Sequence, residues 1–202
     1  LKVDPATGKS TIWFTEKAGD KSWINLSNAY HFMKDGSLIW WSERSGHGHL
    51  YRFNDGNWTQ LTHGDWEVAG LAGVDEKRGR LYFLGNKDGV LERHLYALDL
   101  SNPSKAKRLT EAGWWNGARM DDGASRAIIS RSNSDQPTQV YLADADGKRI
   151  DWISKNNVND PDHPYHPYLP SHRETKFGTI TGPGGQTLHW EMITPKLEPG
   201  KK

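Results

Sequence analysis

Three segments of the chain, Gly48-His49-Leu50-Tyr51-Arg52-Phe53, Arg93-His94-Leu95-Tyr96-Ala97-Leu98 and Thr138-Gln139-Val140-Tyr141-Leu142-Ala143, echo one another with their tyrosines 45 residues apart. A fixed period of that size in apolar and aromatic segments is the mark of a propeller, whose blades are four-stranded sheets of about 40 to 50 residues. Each echo has the same neighbours. Upstream stand the extended runs Leu38-Ile39-Trp40-Trp41-Ser42, Leu81-Tyr82-Phe83-Leu84-Gly85 and Ala127-Ile128-Ile129-Ser130, and downstream come short ones closing on Leu61-Thr62, Leu109-Thr110 and Ile153-Ser154. The expectation is an all-β fold: a partial β-propeller of about three to four blades, each a four-stranded antiparallel sheet.

Outward from the echoes the chain divides into three parts. Residues 1–26 form the outer strands of a truncated blade, an extended stub at 1–3 and a second run at 9–15 about the turn Asp4-Pro5-Ala6-Thr7-Gly8, with Ser22-Trp23-Ile24-Asn25-Leu26 leading inward. Residues 27–154 hold three blades. In the first, Asp35-Gly36 is predicted as a two-residue type I′ turn, which needs positive φ. In the second, 66–74 is a small, apolar run suited to an inner strand covered on both faces. In the third, Asp122-Gly123, 132–137 and Asp144-Ala145-Asp146-Gly147 supply the turns. Residues 155–202 are predicted as a last, atypical blade that leads into another domain. Pro161, Pro164 and Pro167 forbid a central strand or helix there, and extended pattern resumes at 175–181 and 188–194. No helix of any length is expected.

The bulk numbers exclude several classes. A net charge of +1 offers no basic field for nucleic acid. With no cysteine there is neither a disulfide framework, a thiol nucleophile nor a thiolate zinc site. No run of about 18 apolar residues exists to span a membrane. The start on Leu1 rather than Met, and the stop at Pro199-Gly200-Lys201-Lys202, are those of a piece of a longer chain. The ten tryptophans suit packing between blades, Trp66 and Trp114 being repeat-equivalent, although indole faces could also stack on sugars.

Chemistry is sparse. Gly123-Ala124-Ser125-Arg126-Ala127 only superficially resembles the Gly-x-Ser-x-Gly elbow of a serine hydrolase. His47 with His49, and Asp162 with His163 and His166, raise a metal option, but solvated polar roles are commoner and no metal or other cofactor is expected. Gly182-Pro183-Gly184-Gly185 lacks the Lys-Ser/Thr of a phosphate loop. Glu67, at the head of an inner strand near the mouth of a central channel, is the one candidate for holding a ligand amine, against the commoner role of bonding a neighbouring turn. Glu43-Arg44 and Glu92-Arg93 read as solvated hairpin ion pairs.

Several tracts resemble a known family: His31-Phe32-Met33-Lys34-Asp35-Gly36, Trp41-Ser42-Glu43-Arg44-Ser45-Gly46, His49-Leu50-Tyr51, Leu61-Thr62-His63-Gly64-Asp65-Trp66-Glu67-Val68 and Gly73-Val74-Asp75-Glu76-Lys77. They are similar to the later half of the N-terminal propeller of dipeptidyl peptidase IV, a prolyl oligopeptidase-type serine peptidase, and the missing cysteines suggest its bacterial branch. The tract from Phe177-Gly178 to Leu188-His189-Trp190-Glu191-Met192-Ile193-Thr194-Pro195 resembles the lead into the α/β-hydrolase domain. The resemblance implies a parent exopeptidase, periplasmic or secreted, that removes N-terminal dipeptides of X-Pro type. It implies a propeller that gates and positions the peptide substrate, a glutamate pair that holds the substrate amine, and a triad in the hydrolase domain. Neither pair nor triad has a match here, so no catalytic residue is assigned and the piece is expected to be inactive alone. The alternative is a glycan- or protein-binding propeller without catalysis. Blades too few to close a ring also predict self-association.

Overall fold

The computed structural model describes residues 1–19 and 22–196, so the tail at 197–202, which would carry the expected lead-in onward, lies outside the described residues. Strands β1 (Lys2–Val3) and β2 (Ser10–Thr11) pair as a small hairpin. The first four-stranded sheet holds β3 (Tyr30–Phe32), β4 (Leu38–Ser42), β5 (His49–Asn54) and β6 (Asn57–Gln60). The second holds β7 (Val68–Asp75), β8 (Arg80–Gly85), β9 (His94–Asp99) and β10 (Asn102–Arg108). The third holds β11 (Trp115–Met120), β12 (Arg126–Ser132), β13 (Gln139–Asp144) and β14 (Arg149–Ser154). Each is an antiparallel meander in sequence order, and every echo tyrosine lies on the third strand of its sheet. The sheets are the propeller blades expected.

Period-two alternation explains the stacking, because successive side chains of a strand point to opposite faces. In blade two, Leu81 and Phe83 of β8 with Tyr96 and Leu98 of β9 join a core shared with blade one, where they meet Ile39, Trp41, Leu50 and Leu61. Their neighbours Tyr82 and Leu95 turn the other way, into a core shared with Met120, Ala127, Ile129, Tyr141 and Ala143 of blade three. Tyr82, Phe83, Leu81 and Leu95 are fully buried, and each such side chain contributes about 1.5–3 kcal/mol by leaving water. At Gly73 the blades approach so closely that a Cβ would lie 2.9 Å from Met120 Cβ.

Blade one's other face is covered by the irregular segment after β2. Trp13 stacks on Phe32 and meets Phe53 edge-on, while Phe14 packs against Trp40, Phe53 and Trp58. On the matching face of blade three no such aromatic cover occurs among the described residues, and Ile128 is exposed.

Two local expectations are corrected. The type I′ turn falls at Asp55-Gly56, where both residues have positive φ, whereas Lys34-Asp35-Gly36 is a three-residue loop in which only the glycine is left-handed. The first turn of blade three does fall at Asp122-Gly123, with Ala124 after it in the left-handed region. A six-residue 3-10 helix spans His166–Ser171, with a proline in its opening turn and Pro170 inside it. A proline at the start of a helix loses no bond that would otherwise form, so the proline-rich stretch excludes long helix without excluding this short one. The chain ends in a two-stranded ribbon, β15 (Thr175–Thr181) and β16 (Thr187–Ile193), outside the three blades.

Candidate functional site

Glu67 immediately precedes β7 and its side chain is exposed. Its backbone N–H donates to Asn86 Oδ1 at 2.7 Å and its carbonyl accepts from the Asn86 N–H at 3.2 Å, which fixes the strand head. No hydrogen bond to its carboxylate occurs among the described residues, so the group stands free at the end of the blade. Trp66 beside it is a packing residue: Nε1 donates to the His63 carbonyl at 2.7 Å, and the ring stacks on Phe83 and meets His49 edge-on.

The histidines serve the frame. His47 lies outside β5 and is exposed, so it does not share a strand face with His49. His49 is buried, with Nδ1 3.0 Å from Thr62 Oγ1 and Nε2 3.0 Å from the Gly64 carbonyl. His94 repeats the arrangement with Thr110 Oγ1 at 2.9 Å and Glu92 Oε2 at 2.8 Å. His163 bonds Asn156, and His166 approaches the Val158 carbonyl. Among the described residues no group of three or more His, Asp or Glu converges as a metal site.

Ser125 is a turn residue, donating through Oγ to Asp121 Oδ2 at 2.8 Å. That bond, the Ser125 N–H and the Arg126 N–H together hold the Asp121 carboxyl below its usual range, chiefly through the Arg126 N–H. The two charge pairs expected at hairpins are corrected as well. Arg44 pairs with Glu16 at 3.1 Å and lies over the Trp58 ring at 3.9 Å, while Glu43 accepts both Nδ2 bonds of Asn25. Glu92 bonds His94 and the Gly113 N–H, and Arg93 donates to the Asn116 carbonyl at 2.7 Å. All of these partners but His94 come from other segments, and a chain read locally supplies only the nearest opposite charge.

A cavity of about 220 Å³ opens beside blade one, lined in part by Glu16, Trp23, Asn25, Ser42, Glu43 and Arg44. Trp23 is 78% exposed and donates from Nε1 to Asn25 Oδ1 at 3.2 Å. Sequence reasoning passed over Glu16, which carries no repeat signal; it accepts from Trp40 Nε1 at 2.9 Å and from Ser42 Oγ. Most of the tryptophans pack, as Trp13, Trp41, Trp58 and Trp66 do, while Trp23, Trp115 and Trp190 are exposed on separate segments.

Three stacked meander blades with a shared core on either side of the central one define a partial β-propeller. The family model for the dipeptidyl peptidase IV (DPP IV) N-terminal region matches residues 1–138, and the chain belongs to that family. A probable dipeptidyl peptidase 4 of Aspergillus fumigatus is 36% identical, covering 100% of this chain and 27% of the relative. Dipeptidyl peptidase 8 of Mus musculus is 32% identical, covering 70% of this chain and 17% of its own length. The crystal structure of Porphyromonas gingivalis dipeptidyl peptidase 4 superposes with a TM-score of 0.69 at 22% identity, over 83% of this chain and 23% of that one. The chain thus spans about a quarter of the length of relatives such as the Aspergillus protein.

Proposed function

We propose that this chain is the propeller portion of a dipeptidyl peptidase IV-like serine exopeptidase, in which the propeller limits access and positions the peptide while a following hydrolase domain supplies the nucleophile. The observation that carries the reading is the family match laid over the repeated blades. On this reading residues 155–202 form a last atypical blade and the lead-in to that domain, and the parent acts in the periplasm or outside the cell. The propeller's physical contribution is orientation, since holding a substrate at a fixed distance from the nucleophile removes entropy from the reaction step. Glu67, with a free carboxylate, is the residue of this portion proposed to meet a substrate amine.

The test is a complementation assay with a chromogenic glycyl-prolyl substrate. The chain alone is expected to be silent, and the parent gene beyond Lys202 should encode a Gly-x-Ser-x-Gly elbow; an open reading frame without one sinks the proposal. The uncovered face of blade three carries a second part of the reading, self-association of the chain. Light scattering at rising concentration should show a mass above that of one chain, and a constant single-chain mass would remove that part alone.

A further inference from the structure

The groove between blades two and three holds a concentration of positive charge that neither the repeat nor the core explains. A cleft of about 310 Å³ there is lined by Glu111, Arg131, Tyr141, Lys148 and Arg149, together with Leu109 and Gly147. Arg131 is 9% exposed. It is boxed by aromatic rings, Trp114 at 4.1 Å, Trp152 at 5.4 Å and Tyr141 at 5.6 Å. Its Nε donates to Gln139 Oε1 at 3.0 Å and its Nη1 to Glu111 Oε2 at 2.6 Å; Nη2 has no acceptor among the described residues. Arg149 lies over the same Trp152 ring at 4.4 Å, so two guanidinium groups share one indole. Neither Arg149 nor Lys148 has a carboxylate within 4 Å among the described residues.

The charges therefore do not balance within the cleft. Three cations face one carboxylate, and that carboxylate, Glu111, is 71% exposed in its side chain with Arg131 as its recorded partner. Burial pushes the Tyr141 hydroxyl above its ordinary pKa, so it remains a hydrogen-bond donor. The repeat does not require any of this. The residues that pair with the first position of the third strand are Ser42, Gly85 and Arg131, and those that follow the third turn read Asn57-Trp58, Asn102-Pro103 and Lys148-Arg149. Only blade three places cations at both. Gly147 makes the turn possible: at φ +83° a Cβ would lie 2.4 Å from the Leu109 carbonyl oxygen, so the turn seats on the strand connection and holds Lys148 and Arg149 at the cleft.

We propose that this cleft is an oxyanion site, taking a carboxylate or phosphate group of a small ligand. Arg131 and Arg149 supply forked donors, which suit both groups, and Lys148 and Tyr141 complete the set. Glu111 occupies Arg131 in the free protein and is displaced to the rim when the anion enters. The lining of the cleft does not include Glu67, and the proposal does not rest on the peptidase reading.

The experiment follows the indole N–H signals of the 202-residue chain by NMR at low ionic strength, with inorganic phosphate in one arm and N-acetylaspartate amide in the other, against sodium chloride at matched ionic strength. Saturable shifts of the Trp114 and Trp152 signals are expected in at least one arm, and the arm that responds assigns a tetrahedral or a planar ligand. Arg149→Gln and Lys148→Gln, both at exposed positions, should each weaken binding about five-fold, the worth of one charge near a surface. Glu111→Gln should tighten it by a similar factor, which mere loss of a surface charge pair would not do. Saturation that chloride reproduces, silence in both arms, or affinity indifferent to Arg149→Gln and Glu111→Gln would overturn the proposal.

Discussion

Blade two and the terminal ribbon are built from the same parts and end in opposite conditions. The β8–β9 ladder joins six residue pairs and the β15–β16 ladder seven, both antiparallel and unbroken in register. Yet Leu95 and Tyr96 of β9 are buried, whereas every residue of β16 is exposed. The ribbon is not short of apolar groups: Ile180, Leu188, Trp190 and Met192 share one face, with the Trp190 ring so close over Gly178 that a Cβ there would lie 2.2 Å away. What differs is the neighbour. Blade two has a sheet on each side, the ribbon has none among the described residues, and a two-stranded ribbon alone is marginal in water. Hydrogen-bonded ladders define the strands of this molecule, and stacking stabilises them.

The largest expected effect tests that contrast directly. Leu95→Ala removes a fully buried side chain and should cost about 2–5 kcal/mol, read as a drop in the urea midpoint. Leu188→Ala, at a position 42% exposed, should stay within about 0.5 kcal/mol. Equal costs would mean that the ribbon is packed in solution. Hydrogen exchange sharpens the point, since the amides of β16 should exchange well before those of β9.

Glycines allow a finer version. Gly147 and Gly185 have nearly the same left-handed φ, +83° and +81°, but a Cβ at Gly147 would meet the Leu109 carbonyl at 2.4 Å while nothing lies within 4 Å of Gly185. Gly185→Ala should cost about 1 kcal/mol, the backbone term alone. Gly147→Ala adds a collision with backbone that cannot swing aside and should cost about 2–4 kcal/mol. A difference near zero between the two would place the strain in the turns themselves rather than in the contact between blades.

The 45-residue echo made the blades legible because the same alternation of buried residues must recur wherever the same stacking recurs, and Leu50 and Leu95 show it. The family tracts were legible for the same reason. Partnerships made outside the echo were not: Glu16 reaches Arg44, 28 residues on, and Arg131 gathers Trp114, Tyr141 and Trp152 from 10 to 21 residues away, spacings that share no period. Turn detail escaped as well. An Asp-Gly pair reports that a left-handed residue is affordable, and the length of the loop decides which residue takes it, as Ala124 beside Gly123 shows. Glu67 was legible as a candidate for a ligand amine but not as a free carboxylate, because the choice between that role and bonding a neighbouring turn depends on what faces the strand head.

The smallest expected effect concerns the first residue of the echo's third strand, where blades one, two and three carry His49, His94 and Gln139. Burial lowers the His49 pKa below 6.5; the Gly64 carbonyl opposes the shift without reversing it, and the nearby His47 and His63 add to it. The unfolded chain therefore binds a proton that the folded chain resists, and stability must rise with pH across that window. The stabilisation is complete above about pH 6.5 and is lost as the pH falls through the lowered folded value. Asp35 and Asp99, held below 3.8 mainly by the hydroxyls of Ser37 and Ser101, act only at more acid pH, so the two windows separate. His49→Gln, which copies what blade three already uses, should flatten the dependence just below about pH 6.5 while leaving the acid limb in place. Denaturant midpoints measured across that range would show it. A slope unchanged by the substitution would assign the titration to other histidines, and the latch of blade one would then be equivalent to that of blade three in chemistry as well as in position.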